Sequence, residues 1–180
     1  MEKITVHDKK FKLFIPHNEL ISAIEALAER IKQDYSAEDC PVFLGVLNGS
    51  FMFMSELVKC LEFSCELVFV KVASYSGLSS TGTVQDIMGL TKSLKDRDVI
   101  VVEDIVETGA SIEHVKNILT KEGVKSFQVA TLFMKPNIYK KQTPIKYVAR
   151  EIGDEFIVGF GLDYNHLGRN YKDVYVIDND

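Results

Sequence analysis

Apolar positions change their spacing along the chain, and that change divides it into alternating helices and strands. From Leu20 to Ile31 the apolar residues Leu20, Ile21, Ile24, Leu27, Ala28 and Ile31 recur at three and four, which predicts an amphipathic helix capped by Asn18, with Glu19 in its first turn. After a polar break at Ser36–Asp39, the run Val42–Leu47 is continuously apolar, as in a strand buried on both faces. The turn Asn48-Gly49-Ser50 follows, and then a helix is predicted from Phe51 to Leu61. A second strand is predicted over Glu66–Ala73, a third over Asp98–Val102 and a fourth over Ser126–Met134. Between the last two, Ser111–Glu122 reads as a helix with Ile112, Val115, Ile118 and Leu119 inward and Gly123 as its stop. Short strands are expected around Tyr147, Phe156–Phe160 and Val174–Ile177.

Strand, loop and helix in alternation predict an α/β fold, a central parallel sheet covered by helices on both faces. At 180 residues and 46% hydrophobic content the chain has material for one substantial core. One domain over 1–180 is expected, with a core of roughly 37–137 and an accessory lobe from roughly 1–16 and 138–180. The segment 74–89 is rich in Ser, Gly and Thr and has neither period, so it reads as a long loop of the kind that serves function or moves.

Charge narrows the partners. With 21 basic and 26 acidic residues the net charge is -5, which disfavours a nucleic-acid partner. No apolar run approaches the roughly 20 residues that span a bilayer, and the amino terminus has no signal-peptide pattern. Cys40, Cys60 and Cys65 form neither a CxxC pair nor a ligand cluster, which favours reduced thiols and a cytoplasmic protein. His7, His17, His114 and His166 lack metal-ligand spacing.

Chemistry concentrates where the third strand ends. Glu103, Asp104 and Glu107 lie at its carboxyl end, the edge at which parallel α/β sheets bind ligands. Thr108, Gly109, Ala110 and Ser111 then open a helix, bringing free N–H groups, two hydroxyls and the helix dipole to one place suited to a phosphate monoester. Glu103 and Asp104 can hold a ribose diol, directly or partly through magnesium; taken alone, acids after a strand are more often simply solvated. Neither the Walker nor the Rossmann glycine pattern is present.

The stretch Val101–Ser111 resembles the phosphoribosyl diphosphate binding motif of the type I phosphoribosyltransferases: a hydrophobic strand, two acids, and a short loop ending in Thr-Gly and a small residue. Further stretches resemble the hypoxanthine/guanine branch of that family. They are Leu47–Phe53, similar to its diphosphate turn; Ser74-Tyr75, similar to the start of its flexible loop; Met134-Lys135-Pro136, similar to its purine-contacting segment; and Phe156–Tyr164, similar to its purine pocket. Together they span roughly residues 10–178, in family order.

The resemblance implies a purine salvage enzyme that transfers the phosphoribosyl group to hypoxanthine or guanine with magnesium, and an assembly of two or four chains. It implies that Leu47, Asn48, Gly49 and Ser50 hold the diphosphate through a turn with a cis bond at Leu47-Asn48. Ser74 and Tyr75 would begin a closing lid, and Glu103, Asp104, Ile105, Thr108, Gly109, Ala110, Ser111 and Arg169 would bind phosphoribosyl diphosphate. Lys135 would donate to the 6-oxygen of the purine, Phe156 stack on it, Ile157 act through its backbone, and Asp163 assist the base or join Glu103 and Asp104 at the metal.

Two positions depart from the family pattern. Glu107 stands where the family carries the aspartate that exchanges a proton with the purine, which lengthens the acid by one methylene. Ala149-Arg150-Glu151 replaces a more apolar, glycine-containing stretch. The Glu107 substitution also admits a non-catalytic sensor of purines or phosphoribosyl diphosphate on the same fold.

Overall fold

The computed structural model describes residues 2–74 and 84–178. Among these residues two sheets form. The larger has the order β5-β4-β3-β6-β7-β8, in which β3 (Val42–Leu47), β4 (Glu66–Ser74), β6 (Asp98–Val106), β7 (Ser126–Met134) and β8 (Tyr147–Glu151) run parallel. Strand β5 (Val84–Met88) adds an antiparallel edge. The smaller sheet, β1-β2-β10-β9, is antiparallel and built from β1 (Lys3–Val6), β2 (Lys9–Ile15), β9 (Ile157–Val158) and β10 (Val174–Ile177).

Alternation along the strands decides which helix covers which face, because successive side chains point to opposite sides. Phe43, Ile100, Val102, Ala130 and Leu132 share one core with Leu20, Ile24, Leu27 and Ile31 of α1 (His17–Asp34) and with Phe53, Met54 and Leu57 of α2 (Phe51–Lys59). Their neighbours Val42, Leu44, Val46, Val99, Val101 and Val129 face the other way, onto Ile112, Val115 and Leu119 of α3 (Ala110–Glu122). Both faces are therefore covered, and the predicted α/β architecture holds.

The accessory sheet shares the first core: Ile15, Ile157, Phe160, Leu162 and Val174 belong to the same buried cluster as α1 and α2. Burying apolar side chains of this size contributes about 1.5–3 kcal/mol each, so the seam ties the small sheet to the larger one.

Four expectations change in detail. Asn18 does not cap α1; the helix starts two residues earlier, at His17 behind Pro16, and the His17 N–H donates to the Asp173 carboxylate at 2.7 Å. A capping group 156 residues away leaves no local signal. The stretch 74–89, expected as loop throughout, contributes β5 at its end. The third strand continues past Val102 to Val106, carrying Glu103 and Asp104 as strand residues.

The tail from 138 is expected in the accessory lobe, yet Tyr147–Glu151 joins the larger sheet beside β7. Tyr147 is buried there and its hydroxyl donates to Asp34 of α1 at 2.7 Å, while Arg30 donates to the carbonyls of Lys146 and Val148. Arg150 in turn pairs with Glu19 at 2.8 Å, so the charged stretch that departs from the family pattern is anchored on α1.

Candidate active site

At the carboxyl edge of the parallel strands lies a cavity of about 970 Å³, lined by the ends of β3, β4 and β6, the start of α3 and the loop 163–169. Its size suits a substrate-binding cleft. The edge is where parallel α/β sheets bind ligands, because loops there leave strand and helix ends facing one hollow.

Strand β3 delivers the turn. Leu47, Asn48 and Gly49 line the cavity, and the Leu47–Asn48 peptide bond is cis. Gly49 passes so close to Asp104 that an added Cβ would stand 1.5 Å from Oδ2, which only glycine avoids. Ser50 behaves differently from its three predecessors. It is fully buried, its N–H points at the Val46 carbonyl at 3.4 Å, and its hydroxyl has no partner.

Strand β6 delivers the acids. Glu103 is buried, accepts from the Ser111 hydroxyl at 2.9 Å through Oε1, and leaves Oε2 without a partner. Burial, and then the charge of Asp104, push its carboxyl well above the usual range. Asp104 accepts from the Ile105 N–H at 3.0 Å and is raised to about 6, chiefly by burial, with the Asp163 carboxylate adding and the Arg169 guanidinium opposing.

Thr108, Gly109, Ala110 and Ser111 follow at the cavity wall, and no side chain caps the α3 amino terminus. The Ala110 N–H makes one long contact, 3.4 Å, with the Thr108 hydroxyl, and the Glu113 N–H closes the first helical bond to the Gly109 carbonyl. The first-turn N–H groups and the dipole therefore face the hollow as an anion cradle.

The loop after β9 closes the other side. Phe156 is 44% exposed and lines the cavity, unlike the buried phenylalanines of the core. Asp163 pairs with Arg169 at 2.6 Å and accepts from the His166 N–H at 2.7 Å, and Arg169 donates to the Gly161 carbonyl at 2.6 Å. Both charged groups are thus engaged in shaping the loop as well as lining the cleft. Ile157 is buried in β9 away from the cavity wall, and is paired with Val176.

Lys135 follows β7 behind the wall, with its side chain 5% exposed, and its ammonium donates to Glu107, which is 46% exposed and lines the cavity. The acid that departs from the family pattern is joined directly to the expected purine-contacting lysine. Ser74 is the last residue of β4, and the Tyr75 expectation lies outside the described residues.

Five cavity residues were not anticipated, Val46, Lys71, Val72, Asn165 and His166, while Tyr164 belongs to the stretch that resembles the purine pocket. Lys71 stands on β4 opposite Leu47 in register, and its signal was a lysine inside the apolar run Glu66–Ala73. Tyr164, Asn165 and His166 reach the wall through a loop whose path is set by Asn165 and His166 at φ 49° and 71°. No periodicity marks such a path.

Comparisons with known proteins agree with this geometry. The phosphoribosyl transferase domain family matches residues 15–165. A hypoxanthine-guanine phosphoribosyltransferase of Staphylococcus aureus strain Mu50 is 37% identical over 166 residues, 92% of each protein. The crystal structure of a hypoxanthine phosphoribosyltransferase from Staphylococcus aureus superposes with a TM-score of 0.86 at 36% identity, covering 93% of this chain and 91% of that one. A hypoxanthine-guanine phosphoribosyltransferase from Bacillus anthracis, with a HEPES molecule in its active site, gives 0.85 at 28% identity over 93% and 96%.

Proposed function

The chain belongs to the phosphoribosyl transferase domain family, and we propose that it is a purine salvage enzyme, a pentosyltransferase that moves the 5-phosphoribosyl group from phosphoribosyl diphosphate to hypoxanthine or guanine, giving IMP or GMP and diphosphate. The observation that carries the reading is the meeting of three unlike subsites on one cavity: the Leu47–Gly49 turn, the uncapped start of α3 beside Glu103 and Asp104, and the exposed ring of Phe156.

The 5-phosphate is held by the α3 cradle from Thr108 to Ser111, and Glu103 and Asp104 take the ribose hydroxyls. The diphosphate lies on the turn, where the backbone of Asn48 and Gly49 and the ammonium of Lys71 oppose its charge. Ser50 supports the turn from inside. Arg169 adds a fixed positive charge across the cleft.

Magnesium fits the two carboxylates, whose hard oxygens include the unpartnered Oε2 of Glu103, and when bound it would neutralise charge on the departing diphosphate. Among the described residues no cluster of three or more potential metal ligands occurs, so substrate oxygens would complete the coordination. Asp163, already paired with Arg169, serves that ion less directly than Asp104.

The base stacks on Phe156, and Lys135 exchanges its contact with Glu107 for one to the 6-oxygen. An ammonium has only donors, so it favours a 6-oxo group and disfavours the amino group of adenine. Glu107, released at the cavity wall, accepts the proton that the five-membered ring loses as its nitrogen attacks C1 of the ribose. The lid that the family resemblance implies from Ser74 and Tyr75 would keep water from the cation-like sugar.

The transferase names of the relatives favour an enzyme over a sensor. Free cysteines, and the absence among the described residues of a helix long and apolar enough to cross a membrane, are in keeping with a cytoplasmic enzyme. A homodimer or homotetramer is the assembly that the family resemblance implies.

The test is nucleotide formation from phosphoribosyl diphosphate and magnesium with hypoxanthine, guanine, xanthine and adenine in parallel. Turnover with hypoxanthine or guanine and not adenine is expected. Purine binding without turnover would replace the enzyme by a sensor.

A further inference from the structure

The amino-terminal hairpin reaches the purine side of the cleft. Val6 pairs with Lys9, so His7 and Asp8 form a two-residue turn between β1 and β2, with His7 at φ 52°. Both turn residues grip the loop that follows the purine pocket. The Tyr164 hydroxyl donates to Asp8 Oδ1 at 3.0 Å, and His7 Nε2 donates to the Asn165 carbonyl at 3.0 Å. The His7 ring also meets the Tyr164 ring edge to face, 5.8 Å between centroids at 82°.

Tyr164 is in turn set edge-on to Phe156, 5.8 Å away at 84°. The fully buried Phe11 of β2 backs both rings, at 6.3 Å from Phe156 and 6.4 Å from Tyr164. Phe156 is therefore held from behind and from one side while it remains 44% exposed and open to the cavity. Edge-to-face contacts fix ring orientation as well as position.

We propose that the His7–Asp8 turn is a positioning device for the base: it holds Tyr164 against Phe156, and so sets the face on which a purine stacks. The inference rests on Phe156 being the stacking ring of the proposed function. Asp8 and His7 touch neither substrate in this scheme. They act on the purine step alone, since the turn has no contact with the diphosphate turn or the α3 cradle among the interactions described.

The experiment is steady-state kinetics of the full chain, with hypoxanthine and phosphoribosyl diphosphate varied in turn, for Asp8→Ala, Asp8→Asn, Tyr164→Phe and the Asp8→Ala/Tyr164→Phe pair. Losing the Tyr164–Asp8 bond should raise KM for hypoxanthine about three- to tenfold, while kcat and KM for phosphoribosyl diphosphate stay within about twofold. Asp8→Asn, whose amide oxygen still accepts, should recover most of the loss, and the pair should be no worse than either single change. An unchanged hypoxanthine KM in Asp8→Ala and Tyr164→Phe would overturn the proposal, as would equal losses for both substrates. Should Asp8→Ala fail to fold, Tyr164→Phe keeps the ring and decides alone. Titration with GMP needs no turnover: a raised Kd in the variants sustains the positioning role even if the native chain forms no nucleotide, whereas an unchanged Kd removes it.

Discussion

The nearly buried ammonium of Lys135 donates to the carboxylate of Glu107, which projects from the loop between β6 and α3. One contact thus joins the group expected to read the purine 6-oxygen to the group expected to move its proton. The additional methylene of a glutamate extends the acid toward the lysine, so the departure from the family pattern alters what the acid can touch while keeping its charge.

Replacing Glu107 by Gln keeps the length and removes the base. We expect kcat with hypoxanthine to fall about 100-fold or more, within the range for loss of general acid–base catalysis, without a comparable rise in KM. Glu107→Asp should stay within about tenfold of the native kcat, since a carboxylate remains. Single-turnover measurements separate the chemical step from product release and check both.

Lys135→Met should erode discrimination more than activity. With the ammonium gone, nothing at that point penalises an amino group, and the ratio of kcat/KM for hypoxanthine over adenine should fall at least tenfold. Competition between the two bases in one reaction measures the ratio directly.

Gly49→Ala puts a methyl group onto the Asp104 carboxylate, 1.5 Å from Oδ2 in the present geometry. Either the turn or Asp104 must move, and both belong to the subsite proposed for phosphoribosyl diphosphate. KM for phosphoribosyl diphosphate should rise by about 100-fold, a misplacement effect, with purine nucleotide binding less affected. Isothermal titration with each ligand distinguishes the two.

The Asp104 contribution carries a pH dependence of definite sign. Its carboxyl is raised from 3.8 to about 6, so between these values the folded state holds more proton than the unfolded one. The Asp104 contribution to the stability of the ligand-free protein, read as the difference from Asp104→Asn, should therefore fall as pH rises from about 4 to about 6 and be lost above the folded value. Asp34, Asp98 and Asp178, whose carboxyls are lowered, set the opposite slope at lower pH. In the proposed reaction magnesium with phosphoribosyl diphosphate would take the ionised form, so their stabilising effect should grow over the same interval. Thermal melts across this interval, with and without both, read the two opposite slopes, and chelation of magnesium should abolish turnover reversibly.

Much of this was legible in the chain because period and burial coincide. Val42–Leu47 and Ser126–Met134 are apolar on both faces and fold as central parallel strands, and Gly123 ends α3 at φ 75° as its position suggests. The acids and small residues from Glu103 to Ser111 are contiguous, so their shared location follows from a single strand-to-helix turn. What escaped depends on distant partners. Asp173 caps α1 across 156 residues, Arg30 and Asp34 of α1 hold β8 in the larger sheet, and Asp8 accepts from the Tyr164 hydroxyl across another 156. Each is invisible to spacing because the deciding atom lies on another element.

Gly161 approaches the diphosphate turn so closely that an added Cβ would lie 2.1 Å from the Gly49 carbonyl oxygen. The loop bearing Asp163 and Arg169 thus rests, backbone on backbone, against the turn offered to the leaving group. Any coupling between the two ligands that passes through this contact is reciprocal: whatever factor one imposes on the affinity of its partner is returned in equal measure.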